Sequence, residues 1–284
     1  MFETAILILL YNKEMKDSTT LSSFIQSTVQ YSEAKIVIWN NGSKKLNTVN
    51  SPELIDLGYQ VEVIETITND SLALIYNRFI RANKAKKYIL LDDDSELSEE
   101  FISASANSQP EHLSLPIITS NGQVQYPSID GKRYSSETVI KENRRFTTIG
   151  SGLVIGINIV NALNEYYQSV FDERFYLYGV DTIFCLRINE SEQVKNVKLI
   201  AGFDHSLSKL ESEGKAMTRF RRVERSYELG LKLRYYVPLT KALFLLLKTG
   251  ASVLKRLCVG KRYKVSFLFV VKAFLSGEHY RKIS

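Results

Sequence analysis

Residues 88–94 read Tyr88-Ile89-Leu90-Leu91-Asp92-Asp93-Asp94. A short apolar run with polar neighbours predicts a buried strand over Tyr88–Leu91. The three carboxylates that follow directly would repel one another unless another charge offsets theirs. A divalent cation would do so, since Mg²⁺ and Mn²⁺ prefer hard oxygen ligands. The alternative is an acidic loop that only caps a helix beginning near Ser98.

The chain before this stretch alternates between strand and helix patterns. Three more buried strands are predicted, at Thr4–Leu10, Lys35–Trp39 and Gln60–Ile67. Helices are predicted after Asp17-Ser18 and after Asn69-Asp70-Ser71, whose side chains are candidate N-caps before apolar residues at helical spacing. This alternation predicts an α/β fold with an open, mostly parallel sheet flanked by helices. Ligands bind such sheets beyond the carboxyl ends of the strands, where the three aspartates and Asn40 lie.

The next hundred residues are less regular. Ser120-Asn121-Gly122 predicts a hairpin turn, because Asn and Gly tolerate positive φ angles. Residues 127–149 are polar and basic without a clear period, which favours a loop. Further strands are predicted over Leu153–Ile157 and Val194–Ala201, and a short helix begins at Asp181. An Asp at that position is often only an N-cap, which is the alternative to a chemical role.

Seven short motifs occur in an order that resembles glycosyltransferase family 2. They are Tyr11-Asn12, Asn40-Asn41-Gly42-Ser43, Asn69…Asn77, Leu91-Asp92-Asp93-Asp94, Gly150-Ser151-Gly152, Phe171-Asp172-Glu173-Arg174-Phe175 and Asp181…Arg187. The resemblance covers residues 4–205 and implies a Rossmann-like GT-A fold. It implies a catalytic domain over 1–205, with a nucleotide-binding half at 1–100 and an acceptor half at 101–205.

The resemblance also implies roles for individual residues. The nucleotide-sugar donor would contact Tyr11, Asn12, Asn40, Asn69, Asn77, Asp92, Asp93 and Gly152. Asp92 and Asp94 match the family's Asp-x-Asp pair, which implies Mn²⁺ or Mg²⁺ as the cofactor. Asp181 matches the catalytic base. His205 follows the last strand and is a third candidate metal ligand, with a purely structural histidine as the alternative.

Two positions depart from the family pattern. Asn40 stands where the family commonly has Asp, and Val180 stands where it often has Glu. The rhamnosyl and galactofuranosyl branches tolerate such changes. The resemblance therefore implies an inverting transfer from a UDP- or dTDP-sugar to a glycan hydroxyl. The expected acceptor is lipid-linked, as in the synthesis of capsule, O-antigen or another cell-surface polysaccharide.

Two other functions remain as alternatives. A sugar nucleotidyltransferase would also use acidic metal ligands. Those enzymes have a glycine-rich, arginine-containing loop after the first strand, whereas Tyr11-Asn12-Lys13-Glu14 follows here and no glycine precedes Gly42. A non-catalytic binding module with the same fold is the other alternative. The complete aspartate set argues against it, and Asn40 leaves it open.

The charge of the chain is divided between two regions. Residues 1–204 carry 19 basic and 26 acidic side chains, whereas residues 205–284 carry 18 and 5. Over 206–284 the pattern predicts a basic amphipathic helical extension, with Lys241, Lys248, Lys255 and Arg262 recurring every seven residues. The longest apolar run, Ala242–Leu247, is too short to span a membrane, which needs about 20 residues.

This basic extension predicts an anionic membrane surface as a partner. Packing against the catalytic domain is the alternative. Nucleic acid is not expected, because the aromatic residues lie in apolar runs rather than between the basic side chains. Cys185 and Cys258 match no metal-ligand spacing and predict reduced, buried thiols. We therefore expect a cytoplasmic protein bound peripherally to the inner face of the cell membrane.

Overall fold

A computed structural model of the chain describes residues 1–141, 144–205, 215–258 and 264–282, apart from the side chains of 215–217 and 257–258. Its strands are β1 Phe2–Leu10, β2 Ala34–Asn40, β3 Gln60–Glu65, β4 Ala85–Asp92, β5 Ser95–Glu96, β6 Leu113–Ser120, β7 Gln123–Tyr126, β8 Ser128–Ile129, β9 Lys132–Arg133, β10 Phe146–Thr147, β11 Leu153–Gly156 and β12 Val197–His205. Its α-helices are α1 Thr19–Gln26, α2 Pro52–Asp56, α3 Leu72–Ala82, α4 Glu99–Ala106, α5 Ile157–Tyr167, α6 Val180–Glu190, α7 Lys215–Tyr235, α8 Leu239–Cys258 and α9 Phe267–Ser276.

Nine of the described strands form one sheet, in the order β3-β2-β1-β4-β11-β6-β12-β5, with β7 beside β6. The first four are parallel, and β6 is parallel to β12, whereas β11 runs antiparallel between the two groups. Helices flank both faces, since alternate residues of β1 enter two different core clusters. This mixed α/β architecture confirms the predicted Rossmann-like GT-A fold.

Local signals in the sequence explain why the helices begin where they do. Ser18 caps α1 by accepting a hydrogen bond from Leu21 N–H, and Ser71 caps α3 by accepting one from Leu74 N–H. The predicted hairpin is also present, because Asn121 and Gly122 both have positive φ angles between β6 and β7. The two helix starts and the hairpin turn therefore follow from short-range patterns in the sequence.

Residues 127–149 differ from the prediction of a plain loop. Within the described part of this segment, β8 pairs with both β9 and β10 to form a small separate sheet. The segment is anchored by Ile129 and Phe146 of this sheet and by Ile140 outside it, all of which are buried in the main core. These three apolar residues are too widely spaced to produce a period, so the sequence pattern did not reveal the sheet.

The C-terminal helices share a core with the preceding domain. Tyr227 and Leu231 of α7 and Ala273 of α9 are fully buried in the same cluster as strands β1 and β4. A smaller cluster joins α7, α8 and α9 around Leu233, Leu246 and Val270. No helix among the described residues is long and apolar enough to cross a membrane. Cys185 is a buried free thiol, as predicted, while the Cys258 side chain lies outside the described residues.

Candidate active site

The sheet topology gathers three side chains at its carboxyl edge. Asp92 ends β4, and the chain turns at once through Asp94 into the short strand β5. Strand β5 pairs with the end of β12, which places Ser95 opposite His205 in the antiparallel register. A histidine from the end of the domain is thereby brought beside the aspartates.

Asp92, Asp94 and His205 form a cluster suited to a divalent cation. Each offers one ligand atom, and these atoms all lie within 4.8 Å of one another. The His205 Nδ1 atom is 3.4 Å from Asp94 Oδ1, and His205 Nε2 is 3.9 Å from Asp92 Oδ2. Two carboxylates and one imidazole are a donor set that Mn²⁺ accepts, and two carboxylates also suit Mg²⁺. The residues thus fit the metal that the resemblance implies.

The electrostatics of this cluster favour a bound cation. Desolvation, reinforced by the charges of Asp94, Asp93 and Asp181, raises the pKa of Asp92 to about 7. Burial also raises the pKa of Asp94, against the opposing effect of His205. Burial lowers the pKa of His205, so the imidazole is neutral at pH 7 and able to act as a ligand. A cation at this point would relieve the repulsion among the carboxylates.

Two serines that the sequence analysis did not single out support the cluster. Ser95 Oγ lies 3.1 Å from His205 Nδ1 and 2.9 Å from Ser151 Oγ. Ser151 Oγ in turn accepts a hydrogen bond from the Asp92 backbone N–H at 3.0 Å. The chain of hydroxyls orients His205 and fixes the end of β4. Ser95 directly follows the predicted metal ligand Asp94, and Ser151 directly precedes Gly152, a predicted donor contact; these positions were the available signal.

Asp93 holds the turn after β1 through its carboxylate. Its carboxylate accepts a hydrogen bond from Tyr11 N–H at 2.9 Å and pairs with Lys13 Nζ at 2.6 Å. The Tyr11 side chain stays exposed beside this turn. Asn12 has a φ of 52° and accepts hydrogen bonds from Ser43 N–H and Oγ–H. The turns after β1 and β2 are thus joined at the edge of the sheet.

The predicted asparagines are engaged within the protein. Asn40 is buried; its amide donates to Lys44 C=O and Glu65 Oε1 and accepts from Gly42 N–H. Asn69 accepts a hydrogen bond from Asn41 Nδ2 at 3.4 Å. These contacts fix the loops after β2 and β3, so the structure gives Asn40 and Asn69 a role in shaping the edge. Direct contact with a donor remains a prediction for both.

Asn77 and Gly152 also have structural surroundings. Asn77 is buried and binds the segment before α6. Its side-chain amide donates hydrogen bonds to Phe171 C=O and Glu173 Oε1 and accepts one from Phe171 N–H. Gly152 has a φ of +84°, and a Cβ atom there would lie 2.6 Å from Pro116 Cγ and 2.7 Å from Phe203 Cε1. Only glycine lets the chain pass so close behind Asp92, where Gly152 N–H bonds to Leu90 C=O.

Asp181 lies in the first turn of α6, where the helix dipole favours a carboxylate. Its Oδ1 atom accepts a hydrogen bond from Thr182 N–H at 2.7 Å. Asp181 is close enough to Asp92 for its charge to raise the pKa of Asp92, and after burial both charges raise the pKa of the Tyr76 hydroxyl. The structure therefore brings the predicted base and the predicted metal ligands to one edge. Tyr76 is a further site residue that its helical apolar spacing concealed.

Arg187 is separate from this edge. It is buried, lies 3.4 Å from Asp172 Oδ2, and donates a hydrogen bond to Tyr236 Oη at 2.9 Å. Tyr236 itself donates to Asp172 at 2.7 Å. Burial opposes ionisation of Asp172, but hydrogen bonds from Arg174 and Tyr236 and the two arginine charges hold its pKa below the usual value. This motif therefore fastens the residues after α7 to the segment that leads to Asp181.

Known structures share this architecture, although no protein-family model and no curated protein sequence matches the chain. The crystal structure of S. aureus TarS 1–349 with UDP-GlcNAc is similar over 82% of this chain, with a TM-score of 0.52 and 15% identity. The same region with UDP gives a TM-score of 0.50 and 14% identity. The match spans 66% of those chains and 40% of a longer TarS structure. The chain thus shares its α/β fold with these TarS structures.

Proposed function

We propose that this chain is an inverting glycosyltransferase that uses a nucleotide-diphosphate sugar. The observation that carries the proposal is the grouping of Asp92, Asp94 and His205 within 4.8 Å, at the edge that also holds Asp181. The binding of UDP-GlcNAc and UDP by the structurally similar TarS supports a UDP-sugar as the donor. A dTDP-sugar is the second donor class to test.

In this proposal Asp181 acts as the general base. The acceptor hydroxyl attacks the anomeric carbon as the bond from that carbon to the diphosphate oxygen breaks. The proton of the hydroxyl passes to the Asp181 carboxylate, and the nucleoside diphosphate leaves from the opposite face, so the configuration inverts. A base of this kind contributes a rate factor of about 10² to 10⁴.

Asp92, Asp94 and His205 would hold Mn²⁺ or Mg²⁺ in this proposal. When bound, the cation supplies positive charge beside the leaving diphosphate. The protein's own contribution is to position its ligands through Ser95 and Ser151 and to keep the imidazole neutral. The turn that Asp93 and Lys13 fix carries the exposed Tyr11 ring, which is available to stack on a nucleotide base.

The acceptor that we propose is a glycan hydroxyl on a lipid carrier at the inner face of the cell membrane, in cell-surface polysaccharide synthesis. The support is the net charge of +13 over residues 205–284, which favours an anionic surface. Donor chemistry and membrane contact are separate parts of the proposal. Each can therefore fail without the other.

The donor reaction is tested by hydrolysis and transfer assays on the purified chain with Mn²⁺ and a panel of UDP- and dTDP-sugars. We expect turnover of one donor that a chelator or Asp94→Ala abolishes. Asp181→Asn should retain donor binding in calorimetry and lose about 10² to 10⁴ in kcat. Glu190→Gln is a matched control in the same helix, because Glu190 is at the far end of α6 from Asp181 and accepts a surface hydrogen bond from Tyr167.

Two results would contradict the proposal that this chain is a glycosyltransferase. Absence of both Mn²⁺ binding and donor binding would favour a non-catalytic module with the same fold. Release of pyrophosphate from a nucleoside triphosphate and a sugar 1-phosphate would favour a nucleotidyltransferase.

A further inference from the structure

Helix α8 exposes large apolar side chains along one face. Leu243, Leu247 and Leu254 are 48%, 73% and 65% exposed, and Phe244 beside them is 63% exposed. At 3.6 residues per turn, the three leucines lie within about 40° of one another around the helix. Single exposed leucines are common on protein surfaces, whereas a contiguous stripe of this kind marks an interaction site.

Helix α8 packs against the described part of the chain through a different face from this stripe. Ala242, Leu246 and Val253 are buried, and they form the face that packs against the neighbouring helices. The leucine stripe is centred about 100° away from that packed face. The face through which α8 packs therefore does not include the leucines.

Lysines border the leucine stripe on its other side. Lys241, Lys248 and Lys255 are exposed and also lie within about 40° of one another, about 120° from the leucines. Helix α9 repeats the pattern on a smaller scale, with Leu268, Lys272 and Leu275 exposed on one face. Arg262, the next member of the seven-residue series, lies outside the described residues.

We propose that the exposed face of α8, which we call the leucine–lysine face, docks on an anionic lipid bilayer. The leucines and Phe244 would enter the boundary between headgroups and acyl chains, and the lysines would contact lipid phosphates. Its role in presenting a lipid-linked acceptor rests on the proposed function, whereas the docking itself does not.

The positive charge of the leucine–lysine face favours an anionic bilayer, rather than a second copy of the chain, as its partner. Residues 229–277 contain ten lysines and arginines and no aspartate or glutamate. A symmetric dimer through this face would bring the same basic surface from both copies together, and residues 229–277 supply no acidic side chain to pair with it. Anionic lipid headgroups supply the missing negative charge and accept the apolar side chains at the same time.

The test is co-sedimentation of the full chain with vesicles of phosphatidylcholine alone or mixed with phosphatidylglycerol. We expect binding to the anionic vesicles at least tenfold tighter than to neutral ones. Leu243→Ser/Leu247→Ser/Leu254→Ser should lower anionic-vesicle binding at least tenfold, and Lys241→Glu/Lys248→Glu/Lys255→Glu should remove the preference for anionic lipid. The substituted side chains are exposed, so we expect both variants to fold.

A matched control replaces three other exposed apolar residues outside α8, in Val49→Ser/Ile55→Ser/Val139→Ser. It should bind vesicles as the wild type does. The proposal is overturned if the wild type does not bind anionic vesicles or if the leucine variant binds them equally well. It is also overturned if the leucine variant only abolishes self-association in analytical ultracentrifugation. Donor hydrolysis in vesicle-free solution is measured in parallel and should be equal in all variants, which separates failure of docking from failure of the proposed catalysis.

Discussion

His205 Nδ1 lies 3.4 Å from Asp94 Oδ1, although one residue ends β12 and the other follows β4. The pairing of β5 with β12 produces this contact, since Asp94 directly precedes β5. The same pairing places Ser95 within hydrogen-bonding distance of the imidazole. Metal binding at this edge should therefore depend on residues from both halves of the domain.

The first prediction concerns those ligands. Asp94→Ala and His205→Ala should each abolish Mn²⁺ binding in isothermal titration calorimetry, because each removes a donor atom. Ser95→Ala leaves the donors in place but frees the imidazole, so affinity should fall about 10- to 100-fold. Glu96→Ala is the control, since Glu96 is an exposed carboxylate in the same short strand as Ser95 and its side chain points to the other face of that strand. Equal affinities for wild type and His205→Ala would remove His205 from the ligand set.

The second prediction concerns the pH dependence of metal binding. The pKa of Asp92 is raised to about 7, so protons compete with the cation below neutral pH. Mn²⁺ affinity should fall roughly tenfold between pH 8 and pH 6 from this group alone. In Asp92→Asn the Mn²⁺ affinity should be lower at every pH and should no longer show the roughly tenfold fall between pH 8 and pH 6 that protonation of Asp92 causes. An unchanged slope in the variant would assign the titration to another group.

The third prediction concerns backbone space behind Asp92. Gly152→Ala should lower the free energy of unfolding by about 3 kcal/mol or more, because a left-handed φ angle and a close approach to Pro116 and Phe203 both penalise a methyl group. Gly58→Ala is a matched control, since its φ of +85° is nearly the same and no atom lies within 4 Å. It should cost about 1 kcal/mol in urea denaturation. Equal losses in the two variants would show that crowding at Gly152 has no effect.

The fourth prediction uses a buried histidine near the C-terminal end of the described chain. His279 stacks on Tyr176 at 4.5 Å, and its Nε2 atom lies 3.6 Å from Glu224 Oε2. Burial, together with the charge of Arg281, lowers the pKa of His279 to about 3. An unfolded histidine binds its proton near pH 6.5, so the stability that neutral His279 provides is complete above pH 6.5 and is lost as the pH falls.

The corresponding measurement compares wild type with His279→Gln. The stability difference between them should fall by roughly 2 kcal/mol from pH 7 to pH 5. Glu224 faces His279 and acts in the opposite direction, because burial raises its pKa and acid then favours the folded state. Glu224→Gln should therefore steepen the acid loss in the wild-type background. A wild-type curve parallel to that of His279→Gln would contradict the neutral, buried assignment.

The sequence predicted those parts of the fold that local patterns encode. Strands β1 to β4 are short apolar runs, and Ser18 and Ser71 stand at helix starts, so period and capping sufficed. Helices α2 and α5 carry weaker signals and were not predicted. The small sheet of β8, β9 and β10 depends on pairing across a segment whose apolar residues lie far apart in the chain.

The site was predictable in position but not in its internal connections. Asp92, Asp94, Asp181 and His205 could be picked out because strand ends meet at one edge. The support from Ser95, Ser151 and Tyr76 could not, since it arises from contacts between distant segments. Likewise, no pattern in the sequence indicates that the side chains of Asn77 and Arg187 form hydrogen bonds inside the protein. Side-chain partners of this kind follow from three-dimensional packing, not from spacing.

The buried arrangement of Asp172, Arg187 and Tyr236 has a consequence for how freely the C-terminal helices can be exchanged. A chain ending at residue 205 would lose the Tyr236 hydroxyl that contacts both charged partners, and Tyr227 and Leu231 would leave a gap in the main core. Grafting these helices onto a different protein, or deleting them to improve expression, would therefore destabilise the segment that carries Asp181. The C-terminal helices therefore support the candidate active site and are not an interchangeable module.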